Sequence, residues 1–110
     1  MNIAVWLSYD LGLKGDYESL YEWLDSKDAI ECGDSLAFFK IEKKQNMLEA
    51  IKKDLKKHVN FGPKDRVYLI LPSESKSGST VGKFIFGRRK QSPWEGHALK
   101  KIIGDEFDRV

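Results

Sequence analysis

Three aspartates and one basic turn are the residues here with the types and spacing for phosphate chemistry. Asp10 follows the run Ile-Ala-Val-Trp-Leu-Ser-Tyr, Asp34 follows Gly33, and Asp65 precedes Arg-Val-Tyr-Leu-Ile-Leu. Carboxylates where strands leave a sheet can hold Mg²⁺ or Mn²⁺ for phosphodiester hydrolysis, because such hard cations prefer oxygen ligands. Aspartate is also a common turn residue, since its short side chain accepts hydrogen bonds from nearby backbone N–H groups. Both readings stay open, with Asp10 the candidate catalytic residue and metal ligand and with Asp34 and Asp65 as weaker ligands. Ser35 reads as a hydroxyl at a strand start rather than a nucleophile, because no histidine is evidently placed to activate it. Arg88, Arg89 and Lys90, with Lys83 before them and Trp94 after, combine cations for phosphate with an aromatic ring for stacking. The same residues also compose an ordinary solvated turn. His58 and His97 stand alone on helical stretches and read as surface residues, and Cys32 reads as a small buried hydrophobe.

Those residues need a scaffold, and the composition bounds it. The chain has 110 residues, 41% hydrophobic and 33% charged, which suits one globular domain with a modest core. Its formal net charge of +2 makes no global basic field, so any nucleic-acid surface must come from local clustering. A single cysteine excludes an intrachain disulfide and makes the reducing cytoplasm the default setting. No apolar run approaches the roughly 20 residues that span a bilayer, so no membrane contact is expected. The chain enters a strand at once with no basic leader, which reads as no signal peptide.

Residues 3–9 alternate with both faces largely apolar, predicting a central strand covered on two sides. Asp16 is placed to cap a helix whose stripe is Tyr17, Leu20, Tyr21 and Leu24, leaving Trp23 off the stripe and partly exposed. Residues 29–33 and 35–41 predict two strands around a tight Gly33-Asp34 turn, or one strand bulged at Gly33. Asn46 and Glu49 predict a capping box, followed by a helix with the buried stripe Leu48, Ile51, Leu55 and Val59. Its other face carries Lys52, Lys53, Lys56 and Lys57, readable as a solvated surface or a phosphate-facing one. Residues 65–72 are the most apolar strand, 73–80 a flexible polar linker, and 81–86 a further strand. Ser92-Pro93-Trp94-Glu95 is a helix start, with Leu99, Ile102 and Ile103 as a short apolar face and Gly104 as its end. The layout is therefore a single domain: a core over 1–72, the linker, and a C-terminal strand, basic turn and helix over 81–104.

The order strand, helix, strand, strand, helix, strand predicts an α+β, ferredoxin-like βαββαβ antiparallel sheet with both helices on one face. An extra C-terminal strand and short helix follow. In that topology the first strand is central, flanked by residues 35–41 and 66–71, so Asp10, Asp34 and Asp65 gather at one end of the sheet. The Tyr9-Asp10 strand end, the short strand into Asp34-Ser35-Leu-Ala-Phe38 and the run Asp65-Arg-Val-Tyr-Leu-Ile-Leu-Pro72 resemble the CRISPR-associated protein 2 family. They also resemble its wider relatives, the VapD-type ribonuclease toxins and stand-alone members. The resemblance spans roughly residues 1–90 in layout, and the Tyr-Asp pair is its one motif with chemical content. It implies a homodimer in which the extra strand joins the partner's sheet, and a divalent metal on the aspartate matching Asp10 in members that cleave nucleic acid. The family's adaptor members bind duplex DNA without that chemistry. The first helix opens Gly-Asp-Tyr-Glu where CRISPR members usually carry a basic stretch, and the tail from Ser92 also differs, which favours a stand-alone relative. Two functions follow: a dimeric, metal-dependent endonuclease acting on RNA or DNA, or a non-catalytic binding or regulatory module. The second would serve a toxin–antitoxin or defence role through protein or nucleic-acid contacts.

The strand at 81–86 carries its own expectation of a homodimer. Val-Gly-Lys-Phe-Ile-Phe is too apolar for an exposed edge, and the polar linker is long enough to let it reach a partner's sheet.

Overall fold

The computed structural model describes residues 1–98. The elements are β1 (Asn2–Asp10), α1 (Tyr17–Ser26), β2 (Ile30–Gly33), β3 (Leu36–Glu42), α2 (Met47–His58), β4 (Arg66–Pro72) and β5 (Thr80–Phe86). They form an α+β unit with one five-stranded sheet ordered β2-β3-β1-β4-β5. Every neighbouring pair is antiparallel. β1 is central between β3 and β4, as expected, and the arrangement is compatible with a ferredoxin-like fold extended at the β4 edge.

Alternation decides which residues fill the core. Val5 and Leu7 of β1, Ala37 and Phe39 of β3, and Val67, Leu69 and Leu71 of β4 point to one face, where they meet Leu20, Trp23, Ile51 and Leu55 from the helices. Each fully buried large side chain contributes about 1.5–3 kcal/mol relative to exposure. The opposite face carries Ala4, Trp6, Ser8, Phe38, Tyr68, Ile70 and Phe84, which adjoin across the strands. Both helices lie on the first face, so among the described residues the second has no helix over it. Among the described residues, the expected cover of β1 is therefore present on one side.

The helices differ from their sequence patterns in instructive ways. Asp16 does cap α1, accepting from the Ser19 N–H at 3.3 Å and also from the Asn60 N–H at 3.0 Å. Trp23, however, is buried at 3% exposure while Tyr21 is 51% exposed. The indole packs edge-on against Phe39, with centroids 5.5 Å apart. Its N–H donates to Asp54 of α2 at 2.8 Å. A polar partner on the neighbouring helix thus turns the buried stripe toward the tryptophan. In α2 the predicted capping box does not form: Asn46 is left-handed (φ 53°) and makes no side-chain cap. Glu74 accepts from the Met47 N–H instead, at 3.0 Å.

Glu74 belongs to the stretch read as a flexible linker, and that reading is corrected too. Residues 73–79 are a closed hairpin loop in which Ser73 N–H donates to the Ser79 carbonyl at 2.8 Å. The Ser73 hydroxyl accepts from Ser75 and Lys76 N–H groups at 3.3 and 3.2 Å. β5 consequently pairs with β4 of its own chain rather than reaching for another. The β2–β3 hairpin turns through Gly33 and Ser35, both at positive φ, with a register irregularity after Glu31. Cys32 sits there exposed, not buried. Residues 93–96 form turns, with the Glu95 N–H on the Ser92 carbonyl at 3.0 Å. The expected apolar face at Leu99, Ile102 and Ile103, and Gly104, lie outside the described residues.

Three aspartates have their pKa held below the ordinary carboxylate value. For Asp16 the Asn60 backbone N–H is the main cause. For Asp10 it is the Arg66 hydrogen bond. At Asp54 burial pulls upward, but the Trp23 and Lys27 hydrogen bonds prevail and the net direction is down. A carboxylate whose folded pKa is depressed stabilises the fold above its unfolded value, and that contribution is lost as pH falls through the folded value. The melting temperature is therefore expected to hold above the ordinary value of 3.8 and fall below it. Thermal melts from about pH 6 to about pH 2 test this, and Asp54→Asn should flatten part of the fall.

Candidate nucleic-acid interface

Asp65 is the buried polar residue of the core, at 5% exposure. One carboxylate oxygen accepts from the Gly12 N–H at 2.8 Å and the other from the Gly62 N–H at 2.7 Å. The first donor lies in the β1–α1 loop and the second in the α2–β4 loop, so this side chain ties together two segments distant in sequence. Its oxygens are committed to backbone donors, which makes it a structural turn acid.

Asp10 ends β1 directly opposite Arg66, the first residue of β4. The Arg66 Nη2 donates to it at 2.9 Å, and the Lys90 ammonium lies 3.8 Å from the same oxygen. Asp34 is exposed in the β2–β3 turn, next to Ser35, whose carbonyl accepts from the Tyr9 N–H at 3.0 Å. The topology thus brings the aspartates to one end of the sheet without converging their oxygens. Among the described residues no group of three His, Cys, Asp or Glu side chains is placed to hold a metal ion. Within one chain, Asp10 is answered by two cations and Asp65 by two amides. Tyr9 supplies no base: burial, then its hydrogen bond with Tyr21, push its phenol up to about 12, so it stays protonated near neutrality.

What converges instead is positive charge. Lys64, Arg66, Arg88, Arg89 and Lys90 line a cavity of about 590 Å³ between the start of β4 and the turn after β5. Gly87 makes the approach possible. It has φ 74°, and a Cβ there would come within 2.6 Å of the Asp65 carbonyl oxygen and 2.7 Å of Arg66 Cγ. The basic turn can therefore fold back over Asp65 and Arg66 only with glycine at this position. Arg66 Nε is buried without a hydrogen-bond partner among the described residues, a cost carried inside the site.

Of the residues expected to contact nucleic acid, Arg88, Arg89 and Lys90 share this cleft. Lys83 does not: it pairs with Leu69 in mid-strand and lines a separate cavity of about 370 Å³ beside Met47 and Glu74. Trp94 is exposed at 74%. Lys64 and Arg66 were missed by sequence reasoning. For Arg66 the signal was present, because antiparallel pairing of β1 with β4 places the residue after Asp65 opposite Asp10. No family model, curated protein or solved structure matches the chain.

Proposed function

We propose that the chain is a nucleic-acid-binding domain of ferredoxin-like type, acting through phosphate contacts in the Arg66–Lys90 cleft rather than through metal-assisted cleavage. The observation that carries this reading is the convergence of Lys64, Arg66, Arg88, Arg89 and Lys90 on one cavity, with the acid at its rim already matched by two of them. Arginine forks and lysine ammonium groups bind phosphate by charge and hydrogen bonds independent of sequence. The resemblance to the CRISPR-associated protein 2 family supports the reading, since that family's adaptor members bind without cleaving. A regulatory role in a defence or toxin–antitoxin setting, in the cytoplasm, belongs to the same proposal. So does a homodimer. With β5 held by its own β4, the surface that favours a second copy is the outer edge of β5, which ends the sheet.

Asp10→Asn separates binding from cleavage. As a binding module the variant loses a negative charge that competes for Arg66 and Lys90, so affinity for RNA or DNA should rise severalfold at low salt. A Mg²⁺- or Mn²⁺-dependent endonuclease would instead lose its activity on the same substitution. Cleavage by the wild type in Mn²⁺ that vanishes in Asp10→Asn would overturn the binding-only reading.

A further inference from the structure

We propose that the sheet face with no helix over it among the described residues is a base-stacking platform for single-stranded nucleic acid, an inference that rests on the phosphate-binding reading of the adjoining cleft. Two aromatic pairs define the platform. Trp6 and Phe38 face each other on β1 and β3 with ring centroids 4.9 Å apart, inclined at 51°. Tyr68 and Phe84 do so on β4 and β5 at 4.8 Å and 74°. Tyr68 lies opposite Ser8, two residues along β1 from Trp6, so the pairs are offset by about 7 Å along the strands and by two strand spacings, about 10 Å, across them. The pairs are therefore about 12 Å apart, far beyond the 3.4 Å rise of stacked bases, so only an extended strand with splayed bases reaches both. Flat side chains on an open sheet bind bases by their faces, which a duplex keeps internal.

Local sequence serves the same surface. Gly82 sits opposite Ile70, and a Cβ there would run into the Tyr68 hydroxyl and ring. Glycine therefore lets Tyr68 lie across β5. Ser8 is small and exposed, leaving open space between the two pairs.

Charge selects the occupant. The Arg66 guanidinium stands 5.8 Å from the Phe84 ring centroid while also lining the basic cleft, so cleft and platform are continuous. Lys40 shares the face at its other end, opposite Ala4; of the acids on this face of β1 and β3, Asp10 is already matched by Arg66 and Lys90, and Glu42 lies beyond Lys40. A polyanion laid from the Arg88–Lys90 turn past Arg66 toward Lys40 would meet cations along its backbone and rings beneath its bases. A second copy packed face to face would have to desolvate those cations, which is unfavourable unless each is paired.

The test uses the full chain with a short labelled oligothymidylate and a duplex of equal length, read by fluorescence anisotropy across a salt series. The wild type should prefer the single strand. Phe38→Leu and Tyr68→Leu keep apolar volume but remove the rings; each should weaken single-strand binding on the order of tenfold and leave the salt slope unchanged. A second measurement needs no variant: a photo-reactive 5-iodouridine oligonucleotide should crosslink to Trp6, Phe38, Tyr68 or Phe84 of the wild type. Crosslinks confined to residues 88–90, with wild-type affinity in properly melting leucine variants, would overturn the platform while the phosphate reading stands. Absence of salt-sensitive binding to either oligonucleotide would remove the phosphate reading itself. A stable dimer in sedimentation, with no ring crosslinks, would assign the face to a second copy and overturn the proposal.

Discussion

Asp65→Ala is expected to lower the melting temperature by 10 °C or more, on the order of 3–5 kcal/mol. The cost arises because the buried carboxylate accepts from the Gly12 and Gly62 amides at 2.8 and 2.7 Å. Hydrogen bonds to a charged group contribute about 1.5–3 kcal/mol each, and a buried donor left unpaired costs about 1–3 kcal/mol. A domain of this size loses roughly 4 °C or more per kcal/mol. Asp65→Asn is the informative companion. An amide can accept through its oxygen from one glycine, but its NH₂ then faces the other N–H donor, so about half the loss should remain. Circular-dichroism melts of the two variants check this. A shift under about 2 °C for Asp65→Ala would show that the two loops are held together by packing alone.

Replacing Arg88, Arg89 and Lys90 together by alanine should have the largest effect on binding. All three are exposed on the cleft, and Lys90 reaches Asp10 only at 3.8 Å, so folding stability should change little. Affinity responds differently, because each phosphate neutralised releases condensed counterions. If every side chain makes one contact, the log–log salt slope should flatten by about 2.7 on duplex DNA and about 2 on single strands. At low salt that corresponds to a loss of orders of magnitude in affinity, uniform across sequences. Titration of wild type and triple variant across a salt series decides the matter. Equal slopes in the two proteins would make residues 88–90 an ordinary solvated turn and move the phosphate contacts to Lys64 and Arg66.

Much of the scaffold was legible in the residues alone. The alternation of β1, the Asp16 cap and the stripe Ile51, Leu55 and Val59 are local patterns. The strand–helix–strand order then leaves few right-handed arrangements, which is why that order alone puts β1 at the centre between β3 and β4. The inward or outward aim of Trp23 and Tyr21 was not legible. Both are amphipathic, and the choice between them rests on Asp54, 31 positions beyond Trp23. Residues 73–79 misled for a similar reason. Their composition is that of a linker, but Ser73 closes the loop on Ser79 and Glu74 caps α2, contacts that only the packed hairpin supplies.

The candidate site divides along the same line. Sequence by itself determined that Asp10, Asp34 and Asp65 would come to one end of a sheet and that a basic turn would follow the last strand, because strand order and strand ends are local properties. Tertiary structure alone decided what those groups do there. It turned Asp65 inward onto two backbone amides, set Asp10 against Arg66 and Lys90, and folded the basic turn back over β4 through Gly87. A carboxylate's chemistry depends on which donors lie within about 3 Å of its oxygens; Gly62 is local to Asp65, but Gly12 for Asp65 and Arg66 for Asp10 arrive from segments more than fifty residues away.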